Sequence, residues 1–121
     1  MRWLIVTYRA FDVVRVPFPF SDRNATKNRP ALILSDEVVF NAPAGHSVMA
    51  MITSEANPPW PLDCVVRNLL AAGLRAPSKV RFKLFTLDHG LVRGMLGRLD
   101  SADEGEVRQA LSRLLATEAK T

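Results

Sequence analysis

A chain of 121 residues, 48% of them apolar, with sixteen Lys and Arg against twelve Asp and Glu and a single cysteine, has room for one core. Those figures exclude a two-domain cofactor enzyme, an internally disulfide-stapled miniprotein and wholesale disorder. The net charge of +4 is unevenly laid: residues 67–98 carry Arg67, Arg75, Lys79, Arg81, Lys83, Arg93 and Arg98 against Asp88 alone, a local +6, leaving −2 for the rest. Such a block suggests a surface for a polyanion or an acidic partner segment, the plain alternative being a solvated face.

The chain opens on four apolar residues, Trp3 to Val6, with Arg9 close behind. That run is too short for a signal peptide's hydrophobic region or a membrane span, so a soluble, cytoplasmic protein is expected. Residues 1–6 read as an extra edge strand or as the product of an upstream start codon. The runs 13–16, 31–34, 48–52 and 62–66 are short and rich in Val and Ile, which predicts strands. A polar loop over 21–28 (SDRNATKN) and a second over 56–61 (ANPPWP), whose prolines cannot donate to a ladder, separate them. Over 78–84, Val80, Phe82 and Leu84 alternate with Lys79, Arg81 and Lys83, predicting a strand with one buried and one cationic face. Residues 91–99 (LVRGMLGRL) predict a further strand in which Gly94 and Gly97 mark a bulge or a close backbone approach. Ser101 stands three residues before Glu104, the spacing of a capping box, and Val107, Leu111, Leu114 and Leu115 follow on one helical face. Short strands closed by a terminal helix make a mostly β, α+β fold, a small antiparallel barrel with a C-terminal α-helix, in a single domain over 1–121.

Little conventional catalytic equipment is present. His46, His89 and Cys64 lack the close spacing of a zinc site, and there is no glycine-rich phosphate loop. The two histidines read as loop or surface residues, although two imidazoles can divide acid and base duties in phosphodiester cleavage. Cys64, in LDCVV, reads as a small buried hydrophobe.

The segments around the first loop are more specific. Residues 12–20 (DVVRVPFPF) run into the loop, Lys27-Asn-Arg29-Pro30-Ala-Leu-Ile-Leu-Ser35 leaves it, and Met51-Ile-Thr53-Ser54 follows. Ala72-Gly73-Leu74, residues 77–81 (PSKVR), 83–88 (KLFTLD) and 96–99 (LGRL) continue the series in order. Together they resemble the MazF/PemK family of toxin endoribonucleases from type II toxin–antitoxin systems, over roughly residues 8 to 115. The resemblance implies an SH3-like barrel, a homodimer, and cleavage of single-stranded mRNA without metal or cofactor, selective for sequence, by attack of the RNA's own 2′-hydroxyl. It maps the catalytic arginine onto Arg29 and the hydroxyl residue onto Thr53, with Ser54 beside it. A cognate antitoxin with an acidic flexible segment is the implied partner.

Chemistry qualifies those roles. Arginine stays protonated, so Arg29 is expected to grip phosphate oxygens as charge builds in the transition state and not to act as a base. The Thr53 hydroxyl is expected to donate to a phosphate oxygen or orient the attacking 2′-hydroxyl. Read without the family, Arg29 pairs with Asp12 or Asp22 and Thr53 ends a strand. Lys27, Lys79, Arg81 and Lys83 are the expected RNA contacts, and Trp60 either stacks on a base or packs over the barrel rim. This chain departs from the family in carrying Phe11 where a glycine usually precedes the aspartate, and Asn68-Leu69-Leu70 where an acidic residue and a tryptophan are common. Two other readings stand beside the nuclease: a non-enzymatic toxin of the same fold that poisons DNA gyrase, and a degenerate member that only binds RNA or antitoxin.

Overall fold

The computed structural model describes residues 7–18 and 27–118. Its strands are β1 (Asp12–Phe18), β2 (Lys27–Ile33), β3 (His46–Ser54), β4 (Cys64–Val65), β5 (Ser78–Asp88) and β6 (Gly94–Arg98). All neighbours pair antiparallel in the order β4-β5-β3-β2-β1-β6, and the sheet curls into a half-barrel closed at one side by helix α3 (Ser101–Leu114). Two short helices, α1 (Ala42–Ala44) and α2 (Leu69–Ala72), lie in connections. The mostly β architecture with a terminal helix is the one expected. Lys27 and Asn28 open β2 where a loop was expected, and residues 1–6 and 21–26 lie outside the described residues.

Both faces of the sheet carry core, which is why β1, β2 and β3 read as near-continuous apolar runs. On one face Val13, Leu32, Ala50, Ile52, Val80 and Phe82 pack with Val107 and Ala110 of α3. On the other Val14, Val16, Ala31, Ile33, Met49 and Leu87 cluster with Tyr8, Phe85 and Val92 against them. The alternation of β5 holds through Val80 and Phe82; Leu84 is left half-exposed at the mouth of an apolar groove with Leu34, Val48, Leu111 and Leu115.

The helix cap differs from the expected one. Asp100, not Ser101, is the N-cap, its carboxylate accepting the Asp103 N–H at 2.9 Å. Burial settles the exchange: Asp103 turns inward and accepts from the Arg67 and Asn68 N–H groups, tying α3 to the chain before α2. Val107, Ala110 and Leu111 form the packed face, while Leu114 and Leu115 stay exposed.

The glycines of the last strand act as expected. Val13 pairs with Gly97 and Val14 with Met95, so Leu96 is bulged. A Cβ on Gly97 would lie 2.4 Å from the Ala71 carbonyl oxygen, which fixes how closely α2 approaches β6. Phe11 supplies the changed entry to β1: it sits in the left-handed region at φ 73° with its ring buried, its N–H on Ile33 O and its carbonyl under Leu99 N. A π-helical turn over Glu37–Asn41, capped by Asp36, was not expected from the sequence. Buried Asn41 anchors it, donating to the Tyr8 and Ser35 carbonyls. Among the described residues no helix is long and apolar enough to cross a membrane.

Candidate functional site

The second face of the sheet leaves its apolar cluster at one end, and polar residues continue it there. The β2–β3 ladder runs Ile33 to Met49, Leu32 to Ala50 and Ala31 to Met51, and stops where Pro30 has no N–H to give. Arg29 itself pairs with Val16 of β1 and lines a pocket together with Met51, and Thr53 follows Met51 two residues on along β3. Residues opposite one another share a face, as do alternate residues on a strand, so Arg29, Met51 and Thr53 lie on one face. On the other side of β3, Lys79 pairs with Thr53 and Arg81 with Met51, which brings both cations to the same face. Neighbouring strands are about 4.8 Å apart, which sets the spacing of the paired Thr53 and Lys79. Between Arg29 and the cluster is a small apolar pocket lined by Val16, Phe18, Pro30, Met51 and Phe85.

Arg29 is exposed, and among the described residues no carboxylate pairs with it. The Asp12 alternative fails, because buried Asp12 is taken by Arg98 Nη1 at 2.8 Å and by the Arg9 N–H at 2.8 Å. Asp22 lies outside the described residues.

The cationic face of β5 is partly paired: one carboxylate, Asp63, is shared by two of its cations. Lys79 and Arg81 are not solvated: their side chains are 7% and 12% exposed, and both grip Asp63, itself 12% exposed, at 3.2 and 3.0 Å. Arg81 makes a two-pronged contact, Nε to Oδ1 and Nη2 to Oδ2, and also donates to the Pro58 carbonyl. Burial pushes the Asp63 carboxyl up, but hydrogen bonds from Arg81, the Trp60 N–H and Lys79, with the charge of Arg81, outweigh it and hold the group below the usual carboxylate range. Of the expected contacts, Lys27 and Lys83 are exposed, and the Lys83 ammonium sits 4.6 Å from the centre of the Trp60 ring. The Trp60 ring rests against Arg81 and Lys83 and stays 42% exposed.

Thr53 is held from the 56–61 loop. Asn57 Nδ2 donates to Thr53 Oγ1 at 2.5 Å, and the Asn57 carbonyl accepts from Lys79 Nζ at 2.7 Å. Ser54 is not brought to this site; it stands on the opposite face of β3 and its hydroxyl accepts the Ala56 N–H, opening the loop. The histidines lie at the far end of β3, seven residues and roughly 23 Å from Thr53 along the strand. There His89 Nε2 meets the buried Ser47 hydroxyl at 2.7 Å and its ring meets Tyr8 edge-on, while His46 faces the Ala44 carbonyl and Asp88. Cys64 is buried, as expected, its thiol pushed up to about 11 by burial and then by the negative charge of Glu106, Asp63 and Asp103.

Asn57 and Asp63 are the residues that sequence reasoning missed. Asn57-Pro58 carried a turn signal; Asp63 carried none, since nothing local marks it as the partner of residues sixteen and eighteen positions later.

Comparison with known proteins bears on this geometry. The model of the family described as PemK-like, MazF-like toxin of type II toxin-antitoxin system matches residues 9–115. An endoribonuclease in complex with its cognate antitoxin from a Mycobacterial species superposes with TM-score 0.73 at 18% identity, over 93% of this chain and 97% of that one. The Mycobacterium tuberculosis toxin MazF-mt6 gives 0.69 at 22% identity, over 89% and 99%. A MazE-MazF structure from Deinococcus radiodurans gives 0.72 at 22% identity, over 92% and 98%. At these identities the structures establish the shared fold. No curated protein matches the sequence.

Proposed function

The chain belongs to the PemK-like, MazF-like family of type II toxin–antitoxin toxins, and from that premise we propose that it is a sequence-selective endoribonuclease for single-stranded mRNA that works without a metal or cofactor. The observation that supports the reading is an exposed Arg29 that lines a pocket with Met51, while Thr53, two residues on along the same strand as Met51, is held by the 56–61 loop.

The substrate supplies its own nucleophile. The ribose 2′-oxygen forms a bond to phosphorus as the bond from phosphorus to the 5′-oxygen breaks; the 2′-hydroxyl loses a proton to water and the departing 5′-oxygen gains one. The products are a 2′,3′-cyclic phosphate and a 5′-hydroxyl, with no water consumed. Arg29 faces the non-bridging oxygens with a planar fork and stabilises the charge of the phosphorane. Thr53 donates its hydroxyl hydrogen to one of the same oxygens or to the nucleophile, fixing the in-line geometry. Lys27 and Lys83 bind flanking phosphates without reading sequence. Lys79 and Arg81 serve the RNA through the loop they tether, since both are held against Asp63 and little exposed.

A cognate antitoxin with an acidic, flexible segment inhibits by lying over Arg29 and the exposed lysines, and a solved relative described as an endoribonuclease is in complex with its antitoxin. The toxin acts as a cytoplasmic homodimer and as one domain. Incubating the protein with a long RNA in EDTA and mapping the new ends tests the reading. Ends bearing a 5′-hydroxyl are expected; intact RNA, or cleavage only with added divalent metal, overturns it.

A further inference from the structure

We propose that Asn57 is the positioning residue that aims the Thr53 hydroxyl, an inference that rests on the nuclease reading above. A threonine hydroxyl rotates freely unless something fixes it, and it carries one hydrogen to give. Asn57 Nδ2 donates to Thr53 Oγ1, occupying a lone pair and leaving the hydroxyl hydrogen unspent. The Thr53 hydrogen is thereby directed away from the loop, toward the open side of the face where Arg29 lies. Accepting from an amide also polarises the hydroxyl and makes it a better donor.

The Asn57 backbone is placed independently of Thr53. Its N–H bonds to the Ser54 carbonyl at 3.1 Å, and its carbonyl takes Lys79 Nζ at 2.7 Å. Lys79 is held in turn by Asp63, which also accepts the Trp60 N–H at 3.0 Å. The chain from Asp63 through Lys79 and Asn57 to Thr53 runs from a buried carboxylate to the reacting face. It assigns Asp63 and Lys79 a use that phosphate binding does not provide. Because the bonds that place Asn57 are made by its backbone, replacing its side chain leaves the turn standing.

The test is a double-mutant cycle on the full chain with a labelled RNA in EDTA, measuring kcat and KM for wild type, Asn57→Ala, Asn57→Asp, Thr53→Ala and the Asn57→Ala/Thr53→Ala pair. Asn57→Ala is expected to lower kcat about tenfold, the worth of one ordinary hydrogen bond, with KM within about twofold. Asn57→Asp is expected to lose at least as much, because a carboxylate accepts the hydroxyl hydrogen and takes it from the substrate. In the Thr53→Ala background the Asn57 change is expected to have no further effect. Wild-type rates in Asn57→Ala with Thr53→Ala impaired, or equal losses in both backgrounds, overturn the inference and leave the nuclease reading intact. Intact RNA with wild-type protein overturns both.

Discussion

Phe11 is a buried aromatic held where glycine belongs, and two substitutions separate those facts. The residue is 3% exposed, within the core cluster capped by α3, with the Arg108 guanidinium 4.6 Å from the ring centre. Removing a buried phenylalanine to alanine costs about 3–5 kcal/mol, and the cation contact adds about 0.5–1 kcal/mol to the loss. Phe11→Ala keeps the left-handed backbone, φ 73°, which costs an L-residue about 1–2 kcal/mol. Phe11→Gly removes that strain, against about 0.5–1 kcal/mol of extra chain entropy that glycine brings. An inversion of the usual order is therefore expected: both variants are destabilised, but Phe11→Gly is the more stable by about 0.5–1 kcal/mol. Urea unfolding at pH 7 measures this directly, provided the m-values agree. Glycine less stable than alanine by the ordinary margin would refute the reasoning about strain at this position.

The ion triad makes its own prediction. Asp63→Asn leaves Lys79 and Arg81 without their shared counter-charge and is expected to lower stability at pH 7. Because the folded Asp63 pKa lies below its unfolded value near 3.9, wild type keeps this contribution above about pH 4 and loses it as pH falls through the lowered folded value. The difference in urea midpoint between Asp63→Asn and wild type is therefore constant from pH 7 to about pH 4 and shrinks below, whereas a difference unchanged at pH 2 argues against the triad. Cys64 is expected to resist thiol reagents: with its thiol near 11, the thiolate fraction at pH 8 is on the order of 100-fold below that of the unfolded chain. Labelling by a maleimide in native buffer and in urea checks it, and equal rates would contradict the burial.

Much of this architecture was legible because it is local. Runs of Val and Ile marked β1 to β3, the alternation over 78–84 marked β5, and the glycines of LVRGMLGRL marked the bulge and the tight approach of α2 to β6. What escaped was long-range pairing. The alternation of Lys79, Arg81 and Lys83 says which way the side chains point but not what covers them; Asp63 and the 56–61 loop fold over the first two and leave the third outside. The cap moved from Ser101 to Asp100 because Asp103 is drawn inward by backbone N–H groups of another segment, a tertiary demand absent from the capping-box spacing. Thr53 and Ser54 are neighbours in sequence, yet strand alternation sends them to opposite faces. The meeting of Arg29 with Met51 at one pocket depends on the register of β2 against β3, which hydrophobic patterning restricts but does not number.

The central claim is that Arg29 stabilises the developing phosphorane charge, and the rate of RNA cleavage in EDTA by Arg29→Ala tests it most directly. Losing one preorganised donor of this kind costs about 10²–10³ in kcat. A fall of that size is expected with an unchanged urea midpoint, since among the described residues Arg29 makes no ion pair whose loss would unfold the protein. Cleavage by Arg29→Ala within a few-fold of wild type, giving the same 5′-hydroxyl ends, would contradict it.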